Sequence, residues 1–308
     1  MSNTLSDTSA ADIDRALVDA RRAHGGPTAG HVLTLLVAAE SHEHNAAIQA
    51  TTATAVEHPS RILVLRKHPG PGPGRLDAEV FGSGDRGPGE LVILDLRGEL
   101  AEHAESVVMP LLLPDTPVVT YWPGVGPDDP ARDPLGRLSQ RRITDLAGCG
   151  DPTGTLRRRA AHYVEGDTDL AWTRLTLWRT LLATALDQYA GRPTGARVAA
   201  EAGNASAELL AIWLECRLGV GVDREVSAGP GLTDVVLMLG ADEVAVSRTD
   251  GRLATLRSPG HSTPQPIALK RRDLAELMGE ELRQLNPDDI YGDCLAALAS
   301  RNAEGSGS

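Results

Sequence analysis

Aromatic residues are scarce in this 308-residue chain, which has one Phe, four Trp and four Tyr. That excludes a core built on stacked rings. Leu, Val, Ile and Ala must fill it instead, which suits helices packed on an aliphatic sheet. Cysteine is equally sparse. Cys149, Cys216 and Cys294 lie far apart with no CxxC pair, so a disulfide framework is excluded and free thiols in a reducing cytoplasm are expected. The longest strongly apolar run, VLTLLVAA at 32–39, falls well short of the ~20 residues that span a bilayer. The N-terminal MSNTLSDTSAAD lacks the basic start and apolar stretch of a secretory signal. Positive charge is also short. Thirty Lys and Arg face 42 Asp and Glu, and a net charge of −12 disfavours nucleic-acid backbones and anionic lipid as partners.

The motifs of cofactor chemistry are missing as well. There is no GxxxxGK[ST]. The nearest approach to GxGxxG after a strand is 124–129, where Asp129 replaces the third glycine and Pro127 removes an amide that would face a phosphate. The GPGPG at 70–74 fails for the same want of donors. His42 and His44 form the tightest histidine pair, but i and i+2 diverge on a helix and no third metal ligand is indicated nearby. No GxSxG marks a nucleophile, and the adjacent acids Asp128-Asp129 and Asp288-Asp289 read as turn and helix-start residues. The expectation is a chain without cofactor, metal or catalytic set, and so not an enzyme.

Patterning then gives a fold class. Short buried-strand signals at HVLTLLVAAE and RILVLR flank an Ala/Thr-rich helix at Asn45–Glu57, which makes a βαβ unit. Strands are expected at Glu79–Phe81, Leu91–Leu96, Pro117–Tyr121 and RRITDL, with helices at Ile13–Ala23, Glu99–Leu113 and Thr155–Tyr163. A long helix is expected over Asp169–Tyr189, from Ala171, Leu175, Trp178, Leu182 and Ala185 at helical spacing. Beyond it, Ala196–Ala200 reads as a strand, Ser206–Arg217 as a helix, and VVLMLG, EVAVSRT and RLATLR as strands, with Asp250-Gly251 as a two-residue hairpin turn. Asp273 with Glu276 forms a capping box, and Asn286-Pro287 is read as the cap and first residue of a last helix. The class is α/β: a Rossmann-like open sheet with flanking helices, then a smaller α+β domain with an antiparallel sheet and C-terminal helices. Boundaries are placed at 1–27 for a tail and helix, 28–165 and 166–300 for the two domains, and 301–308 for a disordered tail.

One stretch stands out for its density. Residues 121–145, YWPGVGPDDPARDPLGRLSQRRITD, carry two aromatics, four prolines, four arginines and four aspartates at the end of an expected sheet strand, where binding surfaces of open α/β sheets lie. Between 131 and 159 seven arginines face three aspartates. Arginine grips carboxylates and phosphates bidentately, and Trp with Arg is the hot-spot composition of protein interfaces. The candidate partner-binding set is Trp122 as an anchor, Arg137, Arg141 and Arg142 as contacts, Asp133 and Asp145 orienting them, and Trp172, Arg174 and Trp178 bracing the second domain. Two alternatives stay open. The cluster at 132–159 could clamp the phosphate of a sugar phosphate, in an enzyme or a sensor, or it could pair internally and only knit the domains together.

Several stretches, in order, carry a family resemblance: HVLTLLV, EHPSRILVL, VVMPLLLPDTPVVTYWPG, DPLGRLSQRRITD, GDTDLAWTRLTLWR and ELRQLNPDDIYGDCLAAL. They resemble the actinobacterial OpcA family of glucose-6-phosphate dehydrogenase assembly proteins over about residues 28–298. The resemblance implies a non-enzymatic partner that promotes the dehydrogenase's active oligomer and raises its activity at the entry of the oxidative pentose phosphate pathway, and hence NADPH supply. Cyanobacterial relatives are linked to thioredoxin control through cysteines. The unpaired spacing of Cys149, Cys216 and Cys294 departs from that pattern.

Overall fold

The computed structural model describes residues 3–23, 30–39, 44–82, 89–189 and 191–305. In chain order the first elements are β1 (Asn3–Leu5), α1 (Ala10–Ala23), β2 (Leu33–Ala39), α2 (His44–Thr54), β3 (Ser60–His68), β4 (Arg75–Phe81), β5 (Glu90–Arg97), α3 (Ala104–Val108), β6 (Val118–Trp122) and β7 (Arg141–Thr144). Then come α4 (Pro152–Ala160), β8 (Asp167–Asp169), α5 (Leu170–Thr173), α6 (Thr176–Asp187), β9 (Gly195–Ala200), α7 (Ala205–Leu218) and β10 (Val222–Val226). The last are β11 (Leu232–Leu239), β12 (Asp242–Ser247), β13 (Leu253–Arg257), β14 (Gln265–Ala268), α8 (Leu274–Arg283) and α9 (Asp289–Gly305). The chain forms two compact units, each assembled from three segments. The first holds 1–145, 164–168 and 273–287, and the second holds 146–163, 169–272 and 288–308.

The first unit is organised by an eight-stranded sheet ordered β1-β4-β5-β3-β2-β6-β7-β8. Its middle five strands, β5-β3-β2-β6-β7, run parallel. Counted along the chain, they follow the doubly wound order 3-2-1-4-5. Continuous apolar runs produce this layer because both faces of a parallel sheet are covered: Leu35, Leu36 and Val37 in β2 and Leu63, Val64 and Leu65 in β3 are all fully buried. β4 is antiparallel to β5 and alternates, with Leu76, Ala78 and Val80 inward and Arg75, Asp77 and Glu79 more exposed, as suits a strand wet on one face. Helix α1 begins where Ser9 accepts the amide of Asp12 and buries Ile13 and Leu17 one turn apart. Helix α8 packs on α2 in this same unit, and its capping box is formed as expected, with Asp273 and Glu276 each accepting the other's amide.

The second unit holds a six-stranded sheet ordered β10-β9-β11-β12-β13-β14, antiparallel except for the β10/β9 pair. Helix α7 buries Leu209, Leu210, Ala211, Ile212 and Leu214. Asn204 caps its start by accepting the Ala207 amide, and Gly219 ends it at φ +67°. Trp172, Trp178, Leu182 and Leu209 belong to the core of this unit.

Four expectations need correction. The helix foreseen over Asp169–Tyr189 is two helices, α5 and α6, because Leu175 donates its amide to Trp172 in a tightened turn and the β-branched Thr173 and Thr176 bond back to Asp169 and Thr173. The apolar spacing survives such a turn, so the pattern conceals the break. The segment Glu99–Leu113 holds only α3, flanked by 3₁₀ turns at Gly98–Ala101 and Met109–Leu111, where Pro110 lacks a donor. The last helix is capped by Asp288, which accepts the amides of Ile290 and Tyr291, rather than by Asn286. At the C-terminus, residues 301–305 continue α9 where a frayed tail was expected, and 306–308 lie outside the described residues. The His42–His44 pair also lies outside them.

Candidate functional site

The arginine-rich stretch follows β6, which ends at Trp122. That ring is 5 % exposed and packs in the core of the first unit with Leu111, Val118 and Leu135. Gly124, at φ +70°, then turns the chain, and Asp133 accepts the amides of Leu135 and Gly136 to fix the next turn. Asp133 therefore orients backbone, where an orienting role toward arginines was expected. Thr120 and Ser139 hydroxyls bond at 2.5 Å and tie the segment back to β6.

Strand β7 then delivers two arginines to the interior. Arg142 donates to the Asp167 carboxylate at 2.5 Å and to the carbonyls of Ser139 and Glu165 at 2.8 and 2.6 Å. One guanidinium thus pins two loops. Gly166 is required there, because its φ is +95° and a Cβ would strike the Gln140 carbonyl and the Arg142 guanidinium. Burial pushes the Asp167 carboxyl above the ordinary carboxylate range, against the pull of Arg142. Arg141 donates to Glu281 at 2.6 Å and to the Asn286 carbonyl at 3.1 Å. In the second unit, Arg159 pairs with Asp169 at 3.1 Å, and Asp169 also accepts the amides of Ala171 and Leu146.

Of the nine candidate residues, Trp122, Arg141, Arg142, Asp145, Trp172 and Trp178 are buried. Asp133 and Arg174 are half-buried and Arg137 is exposed. They do not form one cluster within a unit. Trp122, Asp133, Arg137, Arg141, Arg142 and Asp145 belong to the first unit, and Trp172, Arg174 and Trp178 to the second. The indole of Trp172 donates to Asp288 at 2.7 Å and lies 3.7 Å beneath the Arg179 guanidinium. Trp178 packs under Arg248 at 5.0 Å. What remains accessible in the stretch is a short loop surface around Val125, at 67 % exposure, with the exposed Arg132 and Arg137.

Sequence reading missed a further buried ion pair in the first unit, Arg61 with Glu90 at 2.8 Å, because its partners lie on adjacent strands far apart in sequence. Strand alternation alone could have flagged both positions, since each opens an otherwise apolar run. None of the three cysteines is in a disulfide. Cys216 is exposed, Cys149 half-buried, and Cys294 buried with its thiol pushed up to about 12 by desolvation.

In a doubly wound sheet, ligands sit where the strand order reverses, here between β2 and β6. The sequence after β2 reads ESHEHN, with no glycine to admit a pyrophosphate and two glutamates to repel one. Among the described residues no group of three His, Cys, Asp or Glu side chains could hold a metal, and no helix is long and apolar enough to cross a membrane.

Comparison with known proteins places the chain. Residues 51–161 match the model of the N-terminal domain of a glucose-6-phosphate dehydrogenase subunit (OpcA, assembly), and residues 165–295 match that of the C-terminal domain of the same family. No curated protein sequence matches. Similar solved structures include a 3-ketoreductase of Actinomadura kijaniata in complex with TDP-benzene and NADP, with 10% identity over 88% of this chain and 96% of that one, and a TM-score of 0.48. A Clostridium difficile dehydrogenase gives 5% identity over 90% and 99% of the two chains, with a TM-score of 0.45. The biliverdin reductase of Synechocystis, in complex with biliverdin and NADP+, gives 10% over 89% and 98%, with a TM-score of 0.44. At such identities and scores no activity transfers. The two domain matches, in order and together covering most of the chain, show that it belongs to the OpcA family of glucose-6-phosphate dehydrogenase assembly proteins.

Proposed function

We propose that this protein is a non-catalytic assembly factor that binds glucose-6-phosphate dehydrogenase in the cytoplasm and favours its active oligomer. The family match across both domains carries the reading. An activator of this kind needs to bind the active state only about 1.4 kcal/mol better than the inactive one to shift the balance tenfold. One charge-assisted contact from an arginine is of that size.

The accessible loop around Val125, Arg132 and Arg137 is the proposed contact in the first unit. The buried Trp122, Arg141 and Arg142 serve as the frame that holds it rigid. A phosphate clamp built from the arginines at 132–159 finds no support in the geometry. The three buried ones, Arg141, Arg142 and Arg159, each already face a carboxylate. Dehydrogenase kinetics with and without the purified chain, with particle size measured in parallel, tests the proposal. The expected result is a higher velocity together with a larger dehydrogenase assembly. Unchanged velocity and unchanged size would overturn it, as would turnover of a metabolite by the chain alone.

A further inference from the structure

A cavity of about 320 Å³ opens in the second unit, of a size suited to a small molecule. Five of its lining residues are cations, Arg174, Arg248, Lys270, Arg271 and Arg272, and among the described residues none of the lining is acidic. In a chain of net charge −12 that concentration needs a reason.

Arg248 supplies it. The residue is 6 % exposed, and its guanidinium donates to the carbonyls of Leu269 and Leu232 at 2.9 and 3.4 Å. Its Nε is buried without a partner, and among the described residues no carboxylate lies within ion-pair distance. Desolvation and the nearby charge of Arg271 weaken its hold on the proton, and only Asp250, at longer range, opposes them. A buried cation is stable when paired, and every other buried arginine described above has a carboxylate. Here, among the described residues, no carboxylate pairs with it. Arg271 is exposed at the rim, and its guanidinium lies against Gly231, where the lack of a side chain and a φ of +67° admit it. Trp178 and Leu175 add an apolar wall.

We propose that this cavity binds a small phosphate monoester. Its phosphate would lie between Arg248 and Arg271, and its carbon body against Trp178. Phosphate suits the arrangement because two guanidinium groups can share its oxygens. The start of α7, with Asn204 and Ser206 on the cavity wall, adds a favourable dipole. None of the arginines at 132–159 lines this cavity, and the proposal does not depend on any dehydrogenase.

The test is a titration of the full chain alone, by tryptophan emission and calorimetry, with inorganic phosphate, glucose 6-phosphate, glucose and an Asp/Glu-rich peptide. Glucose 6-phosphate should bind saturably and more tightly than inorganic phosphate, glucose should not bind, and added salt should weaken the binding. Arg271→Ala, at an exposed position, should weaken it roughly ten- to a hundredfold without moving the unfolding midpoint. Arg248→Lys should weaken it while the chain stays folded. The proposal fails if neither phosphate compound binds, if Arg271→Ala binds as the unaltered chain does, or if only the acidic peptide binds. The last result would assign the cavity to a protein segment.

Discussion

Two groups of arginines divide this molecule. Those on β7 and α4 are dense in sequence, yet the buried members are closed off: Arg141 on Glu281, Arg142 on Asp167 and Arg159 on Asp169. Those around the cavity of the second unit are scattered from 174 to 272, and Arg248 there is buried against carbonyls and an indole with no carboxylate within ion-pair reach among the described residues. Arginine density along a chain therefore does not mark a site. What marks one is a buried charge whose counter-ion the fold does not supply.

The largest expected effect separates frame from surface. Arg142→Ala leaves Asp167 buried without its guanidinium and two loop carbonyls unpaired, and should cost about 3–5 kcal/mol in chemical denaturation. Arg137→Ala, at an exposed position of the same stretch, should change stability by less than about 0.5 kcal/mol while weakening activation of the dehydrogenase. Equal stability losses would erase the distinction between the two residues. Next in size, Trp172→Phe removes the donor to Asp288 and should cost about 1.5–3 kcal/mol by the same measurement. Asp273→Ala removes the cap of α8 and should cost about 1 kcal/mol.

Two smaller effects read ionisation. The folded pKa of Asp167 is raised, so its contribution to stability is fully present below the unfolded value of about 3.9 and is lost as pH rises through the folded value. The stability difference between the unaltered chain and Asp167→Asn should therefore shift against the unaltered chain as pH increases through the acid range. A shift of the opposite sign would show that Arg142 outweighs burial. Among the thiols, an alkylating reagent at neutral pH should label Cys216 in the native protein and spare Cys294 until unfolding, as read by mass spectrometry.

Much of the fold was legible because its signals are local. LLVAA at 35–39 and ILVL at 62–65 are apolar without interruption, and a strand covered on both faces favours that pattern. The capping box at Asp273 and Glu276 spans only four residues and was readable for the same reason. The candidate site was legible only in part. Trp122 and Arg142 look like interface residues in sequence, since burial and exposure draw on the same residue types there. The broken helix at Thr173–Leu175 hid behind an apolar spacing that a tightened turn preserves.

Neighbouring residues alone were enough to set the family, the order of the strands' apolar runs and the want of a phosphate-binding glycine loop after β2. Folding in three dimensions was needed to bring Arg141 to Glu281 across 140 positions, to join residues 273–287 to the first unit, and to bury Arg248 with no carboxylate at ion-pair distance among the described residues. Those outcomes depend on which distant segments share a low-dielectric space, and a charge's partner is set by proximity in space rather than along the chain.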